Sequence, residues 1–196
     1  MKWISLGSTC QPAYWIRNEL KQPEAYFFDW LITPPKALIK VLDDGIDDLL
    51  DVKNLSIHHR GIRVIDDLSG LEFQHDFPED ETGKILDSYV DYVDNVRDKY
   101  IRRYERLIEL IASDKQIVFV RYGDRPSNIP SLREKIQETL MNSKSILIFA
   151  SEHIECDQED FPFFYFNLEP CSDWKGDQPK WKEIVDKITR LESETK

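Results

Sequence analysis

The chain predicts an α/β fold with a mostly parallel sheet, on three observations. Apolar runs at 3–6, 116–121 and 145–150 have the length of strands. The second and third contain "IVFV" and "ILIF", continuously apolar as strands covered on both faces must be. Segments of helical period lie between the runs, and parallel neighbours need such crossovers.

Each element follows from local chemistry. The first run, WISL, ends at Gly7, after which Ser8 or Thr9 can cap a helix through QPAYWIRNEL, with Pro12 tolerated in its first turn. AYFFDWLITPP is rich in aromatics and ends in a proline pair, and PKALIKVLDDG reads as a helix closed by Gly45. IDDLL reads as a further turn, HHRGIRVIDD holds a short alternating run of minor or edge-strand type, and LEFQHDFPEDE reads as loop. The spacing predicts a helix over 84–112, because Leu86, Tyr89, Val93, Val96, Tyr100, Tyr104, Leu107 and Leu110 or Ile111 recur at helical intervals. This helix is expected to pack on the sheet through its tyrosines and aliphatic residues. SLREKIQETLM supplies the helix between the second and third strands. After the run CDQEDFPFFYFNLEP comes a last helix over PKWKEIVDKITRLE, with Trp174 and Trp181 at its start read as packing residues. The expected architecture is one domain over 1–196: a three-layer sandwich of Rossmann or flavodoxin type. An extra irregular region, fitting no βα unit, lies between the first and second main strands.

Composition narrows the function. A net charge of −11 with no basic tract argues against nucleic acid as a partner. The three cysteines, Cys10, Cys156 and Cys171, are odd in number and widely spaced, which suits a reduced, cytoplasmic setting rather than a disulfide framework. The N-terminal apolar stretch is too short for a signal peptide, and no apolar window approaches membrane-spanning length. The tyrosines of 84–112 leave monomer and homodimer both open.

Ligands of open parallel sheets bind beyond the carboxyl ends of the strands. Three polar segments follow such ends here: GSTC, RYGDR and SEHIECD. Cys10 stands at or near a helix N-terminus, where partial positive charge and free N–H groups favour a thiolate and can hold an oxyanion or phosphate. The other reading of Cys10 is a small side chain filling a strand-to-helix corner. A thiolate nucleophile needs a histidine base. His58 and His59 read as surface residues, whereas His75, with Asp76 beside it, and His153, with acids nearby, are equal candidates. Asp29, set among aromatics in FFDW, needs a partner if buried. It can cap the next segment or hold an imidazole or Arg121. Arg121 ends the second strand as a candidate clamp for a carboxylate or phosphate, or as half of an ion pair. In the "RR" at 102 and 103, one arginine is expected to point inward and the other into solvent. Ser8 is an alternative nucleophile, but no C-terminal DxxH supplies its partner. His153, Cys156 and Cys171 lack a fourth ligand and paired CxxC spacing, so no metal is expected. With no GxGxxG and no GKS or GKT ending, no cofactor is expected either.

Several of these residues, in order, resemble a bacterial family of unknown function, DUF1796, whose members are described as papain-like cysteine peptidases. The points of likeness are ISLGSTCQPAYWIR, FFDWLITP at 27–34, HDF at 75–77, KYIRRYERL at 99–107, FVR at 119–121, and the tryptophans at 174 and 181. The resemblance implies Cys10 as nucleophile and moves His75 ahead of His153 as base. It implies Asp29 and Asp76 as orienting acids and Arg121 as a substrate or oxyanion clamp. Ser8, Thr9 and His153 remain candidate substrate-binding residues. The expectation is a cysteine-dependent hydrolase or acyl transferase acting on a small-molecule, peptide or glycan-related substrate. The alternatives are a binding or transfer protein for an anionic or sugar-phosphate ligand, with Cys10 merely lining the site, and a structural or interaction role.

Overall fold

The structure, a computed structural model, describes residues 1–194. In chain order its elements are β1 (Lys2–Ser5), α1 (Gln11–Asn18), β2 (Leu31–Ile32), α2 (Pro35–Asp44), β3 (Leu55–His58), β4 (Arg63–Asp66), β5 (Leu71–Phe73), α3 (Val93–Ile111), β6 (Ile117–Tyr122), α4 (Ile129–Leu140), β7 (Ile146–Ser151), β8 (Gln158–Asp160), β9 (Phe163–Asn167) and α5 (Gln178–Glu194). A five-stranded sheet runs in the order β1-β6-β7-β9-β8, and its first four strands are mutually parallel. The fold is therefore α/β, with a largely parallel sheet flanked by helices.

Side chains alternating along the buried strands divide the core in two. Ile117 and Phe119 of β6 and Leu147 and Phe149 of β7 face a cluster shared with α2, α3 and α4. Val118 and Val120, with Ile146, Ile148 and Ala150, face Trp15 and Ile16 of α1 and Trp181, Ile184 and Ile188 of α5. Both faces of the sheet are thus covered, which is why these strands are continuously apolar.

Two features depart from the expectations. The aromatic run before the last helix, left unassigned above, folds into the hairpin of β8 and β9, and β9 is a fourth parallel strand paired with β7. The region between β1 and β6 carries a second, four-stranded antiparallel sheet in the order β2-β5-β4-β3. Its turns are held by residues in left-handed conformations: His59, Arg60 and Gly61 between β3 and β4, and Gly70 before β5. The buried Asp66 carboxylate organises the second turn by accepting hydrogen bonds from the backbone N–H groups of Leu50, Leu68 and Ser69. Residues 71–73, read above as loop, are thereby drawn into β5.

The helix expected over 84–112 begins at Val93. Ile85 N–H donates to Gly61 O and Leu86 N–H to Pro78 O, so tertiary hydrogen bonds hold 84–86 extended despite their helical spacing. A 3-10 turn over Asp87–Tyr92 leads into α3. Tyr100 is fully buried, its ring edge-on to Phe27 and Phe73, and these contacts tie α3 to β5 and to the turn before β2. Among the described residues no helix is long and apolar enough to cross a membrane.

Candidate active site

The three strand ends meet as the topology requires, because β6 lies between β1 and β7. Gly7 closes β1 so tightly against β2 that a Cβ on it would lie 2.3 Å from Thr33 Oγ1. Gly7 and Ser8 both have positive φ, 74° and 79°, and turn the chain from strand into helix. Cys10 is the N-cap residue of α1; its carbonyl accepts from Tyr14 N–H, and Thr9 Oγ1 accepts from Gln11 N–H. The half-buried Cys10 thiol lies 3.8 Å from the carbonyl of Trp30, to which it donates. Trp30 has φ of 69°, a strained conformation for a bulky residue and one that aims its carbonyl at the thiol.

Around this corner opens a cavity of about 770 Å³. Ser8, Thr9, Cys10 and Gln11 form one wall; Ile32, Arg63 and the Gln74–His75 segment, all from the second sheet and its exit, form the other. Trp30 and Trp174 complete it. The antiparallel sheet therefore carries His75 to the cavity that Cys10 lines. His75 is exposed, and among the described residues it makes no hydrogen bond, to Cys10 or to any other group.

Burial pushes the Cys10 thiol up from its ordinary range, Arg63 opposes this, and Asp76 adds to it. Desolvation is the largest of these influences and favours the neutral thiol, against the thiolate expected at a helix N-terminus. Arg63 donates to Glu72 Oε2 at 2.7 Å, and its buried Nε has no partner.

The other sequence candidates are distributed less compactly. Asp76 is the buried partner of Lys99 and accepts from Tyr100 O–H at 3.0 Å, so α3 holds its carboxylate. Asp29 accepts from Tyr26 N–H through Oδ2, while its buried Oδ1 has no partner. Burial pushes Asp29 up to about 7, with the Tyr26 N–H, Arg103 and Arg17 pulling the other way. Arg121, 1% exposed, forks onto the buried Asp124 at 2.7 and 3.0 Å and donates to Leu6 O at 2.8 Å. It braces the C-terminal ends of β6 and β1 and does not line the cavity. Exposed His153 lies beyond β7, also outside the lining. Among the described residues no cluster of three or more His, Cys, Asp or Glu could hold a metal ion.

Sequence reasoning passed over three groups that shape the cavity. Arg63 sits in an alternating run that looks like any exposed edge. Gln11 is buried and bridges elements distant in sequence, donating to Trp174 O at 3.1 Å and accepting from Trp181 Nε1 at 3.0 Å. Gly176 packs onto that amide so closely that a Cβ there would lie 2.3 Å from Gln11 Nε2. The two tryptophans read together as packing residues divide. Trp181 is 2% exposed and in the core, whereas Trp174 is 55% exposed and lies against the cavity, edge-on to Tyr14 at 4.9 Å.

Fold and site thus define an α/β protein with a thiol and an imidazole on the wall of one cavity. The chain belongs to the DUF1796 family, described as "Putative papain-like cysteine peptidase (DUF1796)", whose model matches residues 1–159. It is also similar to "Uncharacterized protein R408" of Acanthamoeba polyphaga mimivirus, with 26% identity over 220 aligned residues spanning 93% of this chain and 96% of the viral protein. No solved structure matches.

Proposed function

We propose that the protein is a cysteine-dependent hydrolase or acyl transferase on a three-layer, flavodoxin-like scaffold, with Cys10 as nucleophile and His75 as base. The observation that carries this reading is that Cys10 and His75, far apart in sequence, border one cavity in a chain of this family. Because burial favours the neutral thiol, the proton moves during attack rather than beforehand. His75 closes onto the thiol and takes its proton as sulfur bonds to the acyl carbon; the imidazolium then returns it to the leaving group. Water hydrolyses the thioester, or a second nucleophile takes the acyl group. Pro12 has no N–H and Gln11 N–H is already engaged by Thr9; Cys10 N–H, at the N-cap, serves as the oxyanion donor, and the Ser8 and Thr9 hydroxyls contact substrate. Trp30, Ile32 and Trp174 favour a substrate with an apolar or planar portion. Asp29 supports the turn presenting Trp30, and Asp76 sets the segment bearing His75. The free thiols suit the cytoplasm.

A screen of acyl, peptide and sugar-ester substrates tests this. Turnover should vanish in Cys10→Ser, and His75→Ala should lower kcat/KM by roughly 10²-fold or more; undiminished turnover in Cys10→Ser refutes it. The raised thiol pKa and the unpartnered Nε of Arg63 favour a second reading. In that reading the cavity binds an anionic ligand and Cys10 only lines it, so binding without turnover would survive Cys10→Ser.

A further inference from the structure

A second concavity, of about 480 Å³, lies along α3 and shares no lining residue with the Cys10 cavity. Lys99, Arg102, Arg103 and Arg106 form one of its walls, at helical offsets of three, four and seven that place them on one face. In a chain of net charge −11, acidic partners for these cations are plentiful, yet few are used. Among the described residues the exposed Arg102 side chain has no hydrogen bond or ion pair. Arg106 donates to Ala25 O at 2.6 Å, and Arg103 lies over the Tyr100 ring and 3.5 Å from Asp29 O. These contacts are to carbonyls and a ring, although Arg106 also feels the Glu24 carboxylate and Arg103 that of Asp29. Of the four, Lys99 alone makes a direct ion pair among the described residues, with Asp76. Glu24 at the opposite rim is already held by Lys2 at 3.2 Å.

Like charges three and four residues apart repel and weaken a helix, and Arg102, whose side chain has no partner among the described residues, offsets none of that cost. Planar guanidiniums favour bidentate binding to phosphate oxygens. The row from Lys99 to Arg106 extends about 10 Å along the axis, longer than one phosphate and comparable to a short phosphate chain. Exposed Asp98, Glu105 and Glu109 on the same helix set an acidic border that disfavours a long polyanion such as nucleic acid. We propose that this face of α3 is a binding site for an oligophosphate group, a diphosphate or triphosphate, whether inorganic or carried by a nucleotide. Arg121 does not serve as such a site, because Asp124 saturates it inside the protein.

Calorimetric titration of the full chain with inorganic tripolyphosphate at low salt tests the site, with orthophosphate, citrate and a nucleoside triphosphate as parallel arms. The expected result is one-to-one binding, weakened at least tenfold by Arg102→Glu and weakened by added salt. Orthophosphate and citrate should bind at least tenfold more weakly than tripolyphosphate. Arg102 is exposed and unpartnered, so unchanged thermal melting will show that the variant folds. Lys182→Glu, remote in sequence and outside this lining, should leave affinity within twofold. The nucleotide arm tells the two sources apart: equal affinity means the phosphate chain alone is read, and tighter binding means a nucleoside adds contacts. No saturable binding, unchanged affinity in Arg102→Glu, or citrate matching tripolyphosphate would each overturn the proposal. Since Cys10 is not part of this lining, Cys10→Ser should bind as the parent does, and failure of either proposal leaves the other standing.

Discussion

Asp29→Asn isolates the energetic consequence of burying one acid beside the cavity. The Asp29 side chain is 6% exposed, with one oxygen held by Tyr26 N–H and the other unpartnered. Its pKa rises from the ordinary 3.8 to about 7, so the folded protein keeps a proton that the unfolded chain releases. Between these limits the native state binds more protons than the unfolded state, and stability falls as pH rises. A gap of about three pH units at about 1.4 kcal/mol each corresponds to a loss of roughly 4 kcal/mol, absent below about pH 4 and complete above about pH 7. The asparagine variant would keep the acceptor for Tyr26 N–H and carry no charge at any pH. Its stability relative to the parent should therefore climb by about 1.4 kcal/mol per pH unit from about pH 4.5 to 6.5 and level off near about pH 7.5. Urea unfolding of both proteins at half-unit pH steps measures this difference directly. Parallel stability curves across that pH range would refute the reasoning and mean that Arg17 and Arg103 hold Asp29 ionised.

Two further outcomes follow from the same electrostatics and packing. With iodoacetamide near pH 8, exposed Cys156 and Cys171 should label before Cys10, and Arg63→Ala should slow Cys10 further by removing the cation that lowers its pKa; peptide mass spectrometry gives the order, and Cys10 labelling first would contradict the burial argument. Arg121→Ala should cost about 3–5 kcal/mol in denaturant stability, because it strands the buried Asp124 and removes a donor from Leu6 O; a loss below about 1 kcal/mol would refute its role as a brace.

Local information in the sequence determined the parallel core. The runs at 117–122 and 146–151 are apolar at nearly every buried position, and the segments for α1, α2, α4 and α5 were each read as helices, α2 with its stop at Gly45. It also made Cys10 legible, since a cysteine between a glycine-ended strand and a proline-bearing helix announces a strand-to-helix corner. Of the second sheet only β4 was legible, in the alternating run of HHRGIRVIDD; β2 and β5 have two and three residues, too short for any period, and they exist because Leu31 and Phe73 pair across the chain. The start of α3 was misread for the same reason, as backbone hydrogen bonds from Ile85 to Gly61 and from Leu86 to Pro78 override an intact apolar spacing. Tertiary structure alone decided which histidine shares the Cys10 cavity, that Arg121 is an internal brace, and that Trp174 faces outward while Trp181 is buried. It also decided that burial pushes the Cys10 thiol up. Residue spacing records which neighbours a helix or strand brings together, whereas desolvation and long-range pairing depend on everything that packs around a group once the chain has closed.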